Sequence, residues 1–161
     1  MASRLLVRRA ASYTNKYLKN ISDNRRYASA MSFTFASPAE VFYNKSDVKQ
    51  VDVPSYSGSF GILPSHVPTL AVLKPGVVTV YEQDGASKKY FVSSGSVTIN
   101  EDSTVQVLAQ EAFPVERLDA QACREGLTKA QQQLSSASTE EAKAEAQIAI
   151  EVHEELVKAL S

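Results

Sequence analysis

The chain predicts a β-then-α fold: an antiparallel β-sandwich of about ten short strands, followed by an antiparallel α-helical hairpin. Three observations carry this. From Phe33 to Phe113, apolar and polar residues alternate with the period of two that half-buried strands show. Turn signals built from Gly, Pro, Asn and Asp separate these runs. After Pro114 the apolar spacing lengthens to the helical period, interrupted once by Ser135-Ser136-Ala137-Ser138.

The strands follow in order. Phe33 and Phe35 alternate with Thr34 and Ala36, and Val51 and Val53 flank Asp52. Val78 and Val80 share one face, opposite Val77, Thr79 and Tyr81. Val97 and Ile99 alternate with Thr98, and Val105, Val107 and Ala109 with Gln106 and Leu108. Asp84-Gly85, set between two such runs, predicts a hairpin turn. Repeated short strands at this spacing suit a sandwich or flattened barrel.

Two helices follow. Ala120, Cys123, Leu127, Ala130 and Leu134 recur at spacings of three and four, a seam for one partner helix. Ser138 with Glu141 matches a capping box and predicts the start of the second helix. Its apolar face carries Ala146, Ile150, His153 and Val157. Alanine on both seams, and Gly126 beside the first, let two antiparallel helices approach closely. The expected organisation is a leader over residues 1–27, a lead-in over 28–32, the sandwich over 33–113 and the helical hairpin over 114–161.

The leader stands apart in composition. Residues 1–27 hold seven basic residues and one acid, leaving ten basic and seventeen acidic residues beyond, a net charge of −7. Wound as a helix, the basic residues up to Lys19 fall within about 140° of arc, opposite an apolar face. An amphipathic, Arg-rich, acid-poor segment is the composition of a mitochondrial transit peptide. Arg25-Arg26-Tyr27 before Ala28-Ser29 resembles a processing site, with cleavage after Tyr27. A basic tail or a membrane-surface helix are the competing readings. The acidic remainder is a poor partner for nucleic acid, and no apolar run is long enough to span a bilayer. The lone Cys123 has no internal disulfide partner, which suits a reducing compartment.

The most specific segment is Gly58-Ser59-Phe60-Gly61-Ile62-Leu63-Pro64-Ser65-His66-Val67-Pro68, followed by Leu73-Lys74-Pro75-Gly76. Each proline fixes φ and removes a donor, and each glycine frees φ, so this backbone is specified residue by residue. It carries no nucleophile arrangement, metal cluster or phosphate cradle. Its expected use is a rigid surface for a partner, or a tight corner of the β fold. Ser65 and His66 are adjacent, and neighbours in an extended segment point opposite ways. No activating acid accompanies them, so no catalytic residue is assigned.

The pattern Gly58-x-x-Gly61-Ile62-Leu63-Pro64-x-His66-x-Pro68, then Leu73-x-Pro75-Gly76, resembles the central-stalk subunit family of F-type ATP synthases, called epsilon in bacteria and chloroplasts and delta in mitochondria. Phe91-Val92-Ser93-Ser94-Gly95, Val105–Ala109 and Gly126-Leu127-x-x-Ala130-x-x-x-Leu134 are similar to its later elements, so the likeness runs from Ser32 to Leu160. The leader favours the mitochondrial branch. The resemblance implies a β-sandwich with a helical hairpin and a non-catalytic rotor role that carries torque between the membrane-embedded c-ring and the catalytic head. The implied partners are gamma, the c-ring and a small mitochondrial epsilon subunit, on the matrix side of the inner membrane. By resemblance, Ser59 and Phe60 approach the ring and His66 lies toward gamma. The contact candidates are Gly58, Ser59, Phe60, Gly61, Ile62, Leu63, Pro64, His66, Pro68, Pro75 and Gly76.

The chain departs from the family twice. Ser59 stands where bacterial members often carry an acid. Leu118-Asp119-Ala120-Gln121-Ala122-Cys123 occupies the place of a nucleotide-binding motif whose arginine is here Ala122. Without that charge-assisted phosphate contact, no nucleotide or other cofactor is expected. This also weakens an inhibitory, extended role for the hairpin, which some bacterial relatives adopt. His153 is expected to make a hydrogen bond between the helices, with pH sensing the sharper alternative. Cys123 is expected to pack rather than react. Tyr56 and Phe60 read equally as core or as exposed anchors. Two other functions remain on the residues alone: a free-standing β-sandwich binding module of the mitochondrial matrix, though the chain has no Trp for a strong aromatic platform, and a small hydrolase, for which no constellation is present.

Overall fold

The computed structural model describes residues 31–161. The expected transit segment and most of the lead-in lie outside the described residues. Nine strands form among them, in the order β1 (Met31–Ala36), β2 (Val41–Val53), β3 (Phe60–Ile62), β4 (Thr69–Leu73), β5 (Gly76–Glu82), β6 (Ser87–Val92), β7 (Gly95–Ile99), β8 (Thr104–Ala109) and β9 (Ala112–Pro114). A 3-10 turn at Val115–Arg117 leads to two helices, α1 (Ala120–Ser136) and α2 (Glu140–Ala159).

The long strand β2 organises the sandwich. Its first part pairs with β1, and its second part with β5 on one side and β3 on the other. The strand path is β4-β7-β8-β1-β2-β5-β6-β9. The β1–β2 and β2–β5 ladders contain register shifts, the kind of break at which a strand pair departs from regular pairing. One pairing departs from the antiparallel expectation: β1 runs parallel to β8. The pair is not a hairpin: β1 lies between β2 and β8, and six strands intervene along the chain before it returns to β8.

Alternation sets which side chains enter the core. Phe33 and Phe35 of β1, Val78 and Val80 of β5, Val97 and Ile99 of β7, and Val105 and Val107 of β8 are all buried together in one cluster. Met31 joins them fully buried, so the sheet starts two residues before the expected boundary at Phe33. Aromatic packing closes one end of this core. The Tyr90 ring meets Phe35 edge-on at 5.3 Å between centroids and Phe42 at 4.9 Å. The Tyr43 hydroxyl donates to Glu82 Oε1 at 2.9 Å, and Lys88 Nζ lies 2.7 Å from the same oxygen.

The hairpin has a thinner core. Only Cys123 and Ala130 of α1, and Ala146 and Ile150 of α2, are buried. Asp119 caps α1 by accepting from the Gln121 and Ala122 amides. Thr139, not Ser138, caps α2: its hydroxyl accepts from the Ala142 amide at 3.2 Å. The cap thus falls one residue after the capping-box spacing, and Ser135 and Ser136 stay helical, each hydroxyl donating back to the Gln132 carbonyl.

Candidate partner interface

The Gly/Pro segment is pinned at several points, and its chain neighbours do the pinning. Ser55 is buried, and its hydroxyl donates to the Gly58 carbonyl at 2.7 Å. Gly58 takes φ 119°, a conformation that favours glycine, as its amide closes a turn onto the Ser55 carbonyl. The Tyr56 amide donates to Val72 and the Lys74 amide to Pro54, which ties this loop to the end of β4. The His66 amide reaches the Leu63 carbonyl at 3.1 Å. Pro64 and Ser65 are the central residues of that turn, with Ser65 at φ 64°. His66 Nδ1 donates to the Val67 carbonyl at 2.8 Å, and its ring lies 6.0 Å from that of Phe60.

Gly61 lies close to a side-chain pair on the neighbouring strand β2. A Cβ there would lie 2.8 Å from Asp52 Oδ1, which itself accepts from Gln50 Nε2. The β3 backbone crosses this polar pair, and a side chain at Gly61 would have to displace the ends of Asp52 and Gln50.

The contact candidates divide by burial. Gly58, Ser59, Gly61, Leu63 and Pro68 are exposed, and Phe60, Pro64 and His66 partly so. Ile62, Pro75 and Gly76 are buried and are withdrawn from the contact surface. Ile62 points inward because β3 alternates, and Gly76 packs beneath Pro54. The open alternatives for the aromatics also resolve: Tyr56 is 68% exposed, while Phe60 packs against the core.

A broader feature surrounds the motif. From Pro54 to Leu73 the chain carries no Asp, Glu, Lys or Arg. Tyr56, Leu63, Val67, Leu70 and Val72 all lie in this run and are all exposed, Leu70 to 77%. Cross-strand pairing extends the patch. Leu70 and Val72 of β4 sit opposite Thr98 and Ser96 of β7, and Ser96 sits opposite the exposed Leu108 of β8. The outer face of β4-β7-β8 is therefore neutral and partly apolar, the character of a surface that another protein covers. A charge count along the sequence would have revealed the run; its union with Leu108 needed the strand order.

The hairpin seam was expected at Ala120, Cys123, Leu127, Ala130 and Leu134 of α1. Cys123 and Ala130 are buried, Leu127 and Leu134 partly buried, and Ala120 is exposed in the first turn. On α2, Ala146 and Ile150 are buried, and His153 and Val157 partly so. The expected hydrogen bond of His153 is absent: its Nδ1 is buried without a partner. Burial raises the Cys123 thiol above its ordinary range, with Asp119 adding to the effect, so the group is poorly nucleophilic. Asp119 itself is engaged in capping α1.

Between sandwich and hairpin runs a cleft of about 460 Å³, with Tyr56, Pro75 and Ser94 on one wall and the exposed Ile148, with Glu151 and Val152, on the other. Sharing Ser93, Glu111 and Val152 with it, a second, mainly apolar cavity of about 170 Å³ is completed by Phe91, Phe113, Leu118, Cys123 and Leu156. No described helix is long and apolar enough to cross a membrane.

Known proteins share both parts of this arrangement. The family described as the ATP synthase delta/epsilon chain, beta-sandwich domain, matches residues 30–115. The metazoan delta subunit of F1F0-ATP synthase, C-terminal domain, matches residues 118–159. The chain is 48% identical over 129 residues to the mitochondrial ATP synthase subunit delta of Caenorhabditis elegans, covering 80% of this chain and 78% of that one. It is 42% identical over 155 residues to the Kluyveromyces lactis subunit of the same name, covering 94% and 96%. Among solved structures, it is similar to a chain of the Euglena gracilis mitochondrial ATP synthase OSCP/F1/c-ring assembly, with a TM-score of 0.77 at 26% identity over 83% of this chain and 82% of that one. A chain of the Tetrahymena thermophila central stalk/c-ring assembly shares the fold, with a TM-score of 0.68 at 18% identity over 83% and 98%.

Proposed function

The chain belongs to the ATP synthase delta/epsilon family, and on that premise we propose that it is a rotor joint that carries torque from the c-ring to gamma during proton-driven ATP synthesis. It is a structural subunit with no catalytic role of its own. The observation that carries the mechanical reading is the neutral, apolar surface from Tyr56 to Val72, mounted on a backbone held by its own hydrogen bonds. A joint under torque needs a surface that loses little conformational freedom on binding, and a pre-ordered loop meets that need.

In this proposal the exposed tip, with Gly58, Ser59 and Leu63, meets the ring. The outer face of β4, β7 and β8, through Leu70, Val72 and Leu108, lies against gamma. The cleft between Tyr56 and Ile148 receives the small epsilon subunit. The segment over 1–27 serves as the transit peptide, and the mature subunit works peripherally on the matrix side. The hairpin binds no nucleotide, since Ala122 replaces the motif arginine and Asp119 is occupied in capping.

The test uses the full chain assembled in mitochondrial membranes. Val72→Asp places a carboxylate on the exposed sheet face and should weaken co-purification with gamma. Leu63→Asp should lower proton-coupled synthesis more than it lowers retention of gamma. The reading fails if both variants assemble and couple normally, or if the wild-type chain is recovered as a free monomer without ATPase partners.

A further inference from the structure

The two helices of the hairpin meet in an arrangement that neither seam predicts alone. Gly126 lies in the interior of α1, where glycine is a poor helix former. A Cβ at this position would fall inside the His153 imidazole, 2.7 Å from Nδ1 and 2.8 Å from Nε2. The ring thus rests directly on the α1 backbone, in a notch that only glycine leaves open. Its Nδ1 is buried there with no hydrogen-bond partner. A polar ring held without a partner, against a helix weakened by glycine, is two unfavourable local choices at one contact, and shape is what they have in common.

The position matters. The helices are joined at one end by Ala137–Thr139. Between that loop and the notch lies the small-residue layer of buried Ala130 and Ala146. Gly126 is ten residues before Ser136, and His153 thirteen after Glu140, about 15–20 Å along the axis from the loop at 1.5 Å per residue. The contact therefore lies toward the open end, where tethering by the loop is weakest and the helices would part first.

We propose that Gly126 and His153 form a steric latch that holds the hairpin closed. To separate, α2 must withdraw the ring from the notch, so the latch selects the closed hairpin over one with its helices apart. This inference stands on the hairpin alone and does not depend on any partner of the sandwich.

Hydrogen exchange of the full-length chain, read amide by amide, tests it. Alanine is the better helix former, so Gly126→Ala without a latch would slow exchange in α1. With the latch, the Cβ expels the ring, and exchange across α1 and α2 should rise roughly tenfold while β-sheet amides keep their protection. Gly126→Ala combined with His153→Ala should recover protection relative to Gly126→Ala alone, a reversal that only direct contact produces. In case Gly126→Ala prevents folding, two milder variants carry the same test. His153→Ala, which empties the notch, should speed hairpin exchange, and His153→Phe, which keeps a ring in it, should preserve protection. The latch is overturned if Gly126→Ala slows exchange, if the double variant gains nothing over the single, or if His153→Ala leaves hairpin exchange unchanged.

Discussion

The sandwich and the hairpin are built from one chain by two different economies of burial. The sandwich gathers Phe33, Phe35, Met31, Ile62, Leu73 and a set of valines into a single cluster fed by every strand layer. The hairpin buries Cys123, Ala130, Ala146 and Ile150, three of them small. Large, branched and aromatic side chains fill volume and give the sandwich a close-packed core of its own. Small side chains bring two helix backbones close but bury little area, so the hairpin depends on fit and on docking against the sheet. The difference teaches where local stability is expected to divide: the body that presents the Tyr56–Val72 surface holds the large core, and the hairpin, with less buried area, should open at lower cost.

Breaking the core should have the largest effect. Phe35→Ala removes a ring that contacts Phe33, Phe42 and Tyr90, and should lower stability by about 3–5 kcal/mol. Chemical denaturation should show sheet and helix signals lost together. If only helix signal is lost, the sandwich is not the body on which the hairpin depends.

Ile150→Ala tests the other side and should cost about 2 kcal/mol, at the low end for such truncations because the hairpin can collapse onto the gap. The loss should register in α1 and α2 amides while β1, β5 and β8 stay protected. Equal loss in both regions would mean that sandwich and hairpin unfold as one unit.

Ser55→Ala is smaller, about 1 kcal/mol, because the Gly58 carbonyl it leaves can turn to water. Its effect should be local, seen as faster exchange at Gly58 and Tyr56 with little change in the core. An unchanged loop would mean that the β4 hydrogen bonds alone hold the motif.

The weakest effect should follow pH. The Glu82 carboxyl is held below its ordinary value by Lys88 and by the Tyr43 hydroxyl. A lowered folded-state pKa contributes stability that is full above the unfolded value and is lost as pH falls through the lowered one. The midpoint of acid unfolding should therefore shift slightly in Glu82→Gln, with the acid limb flattened. The Tyr43 hydroxyl moves the other way, raised by burial and then by Tyr90 and Glu82, so its contribution should fade only at strongly alkaline pH, above the ordinary tyrosine value. Tyr43→Phe should remove that alkaline loss. Because these groups bridge β2, β5 and β6, hairpin amides should not respond.

Much of the fold is legible in order of residues, since strand alternation and helix period are local. Phe33 and Phe35, Val78 and Val80, and Val105 and Val107 all face inward as their spacing predicts. The candidate interface is legible only in part. The Gly58–Pro68 motif marks a stiff backbone, yet Ile62, Pro75 and Gly76 within the predicted surface are buried, because a motif conveys spacing and not which side of a strand meets solvent. The cap of α2 falls on Thr139 and not on Ser138, a choice between adjacent hydroxyls of similar capping ability that spacing alone does not make.

By itself, the sequence determined the β-then-α order, the acidic balance beyond residue 27, the charge-free run from Pro54 to Leu73 and the stiffness of its glycine and proline backbone. These rest on covalent geometry and on periodicity, both properties of near neighbours. Tertiary structure alone decided that β1 lies parallel to β8, that Leu108 extends the face of Leu70 and Val72, and that Gly126 receives His153. Each of these joins residues more than twenty positions apart, and only the packing of the closed fold selects which distant side chains meet.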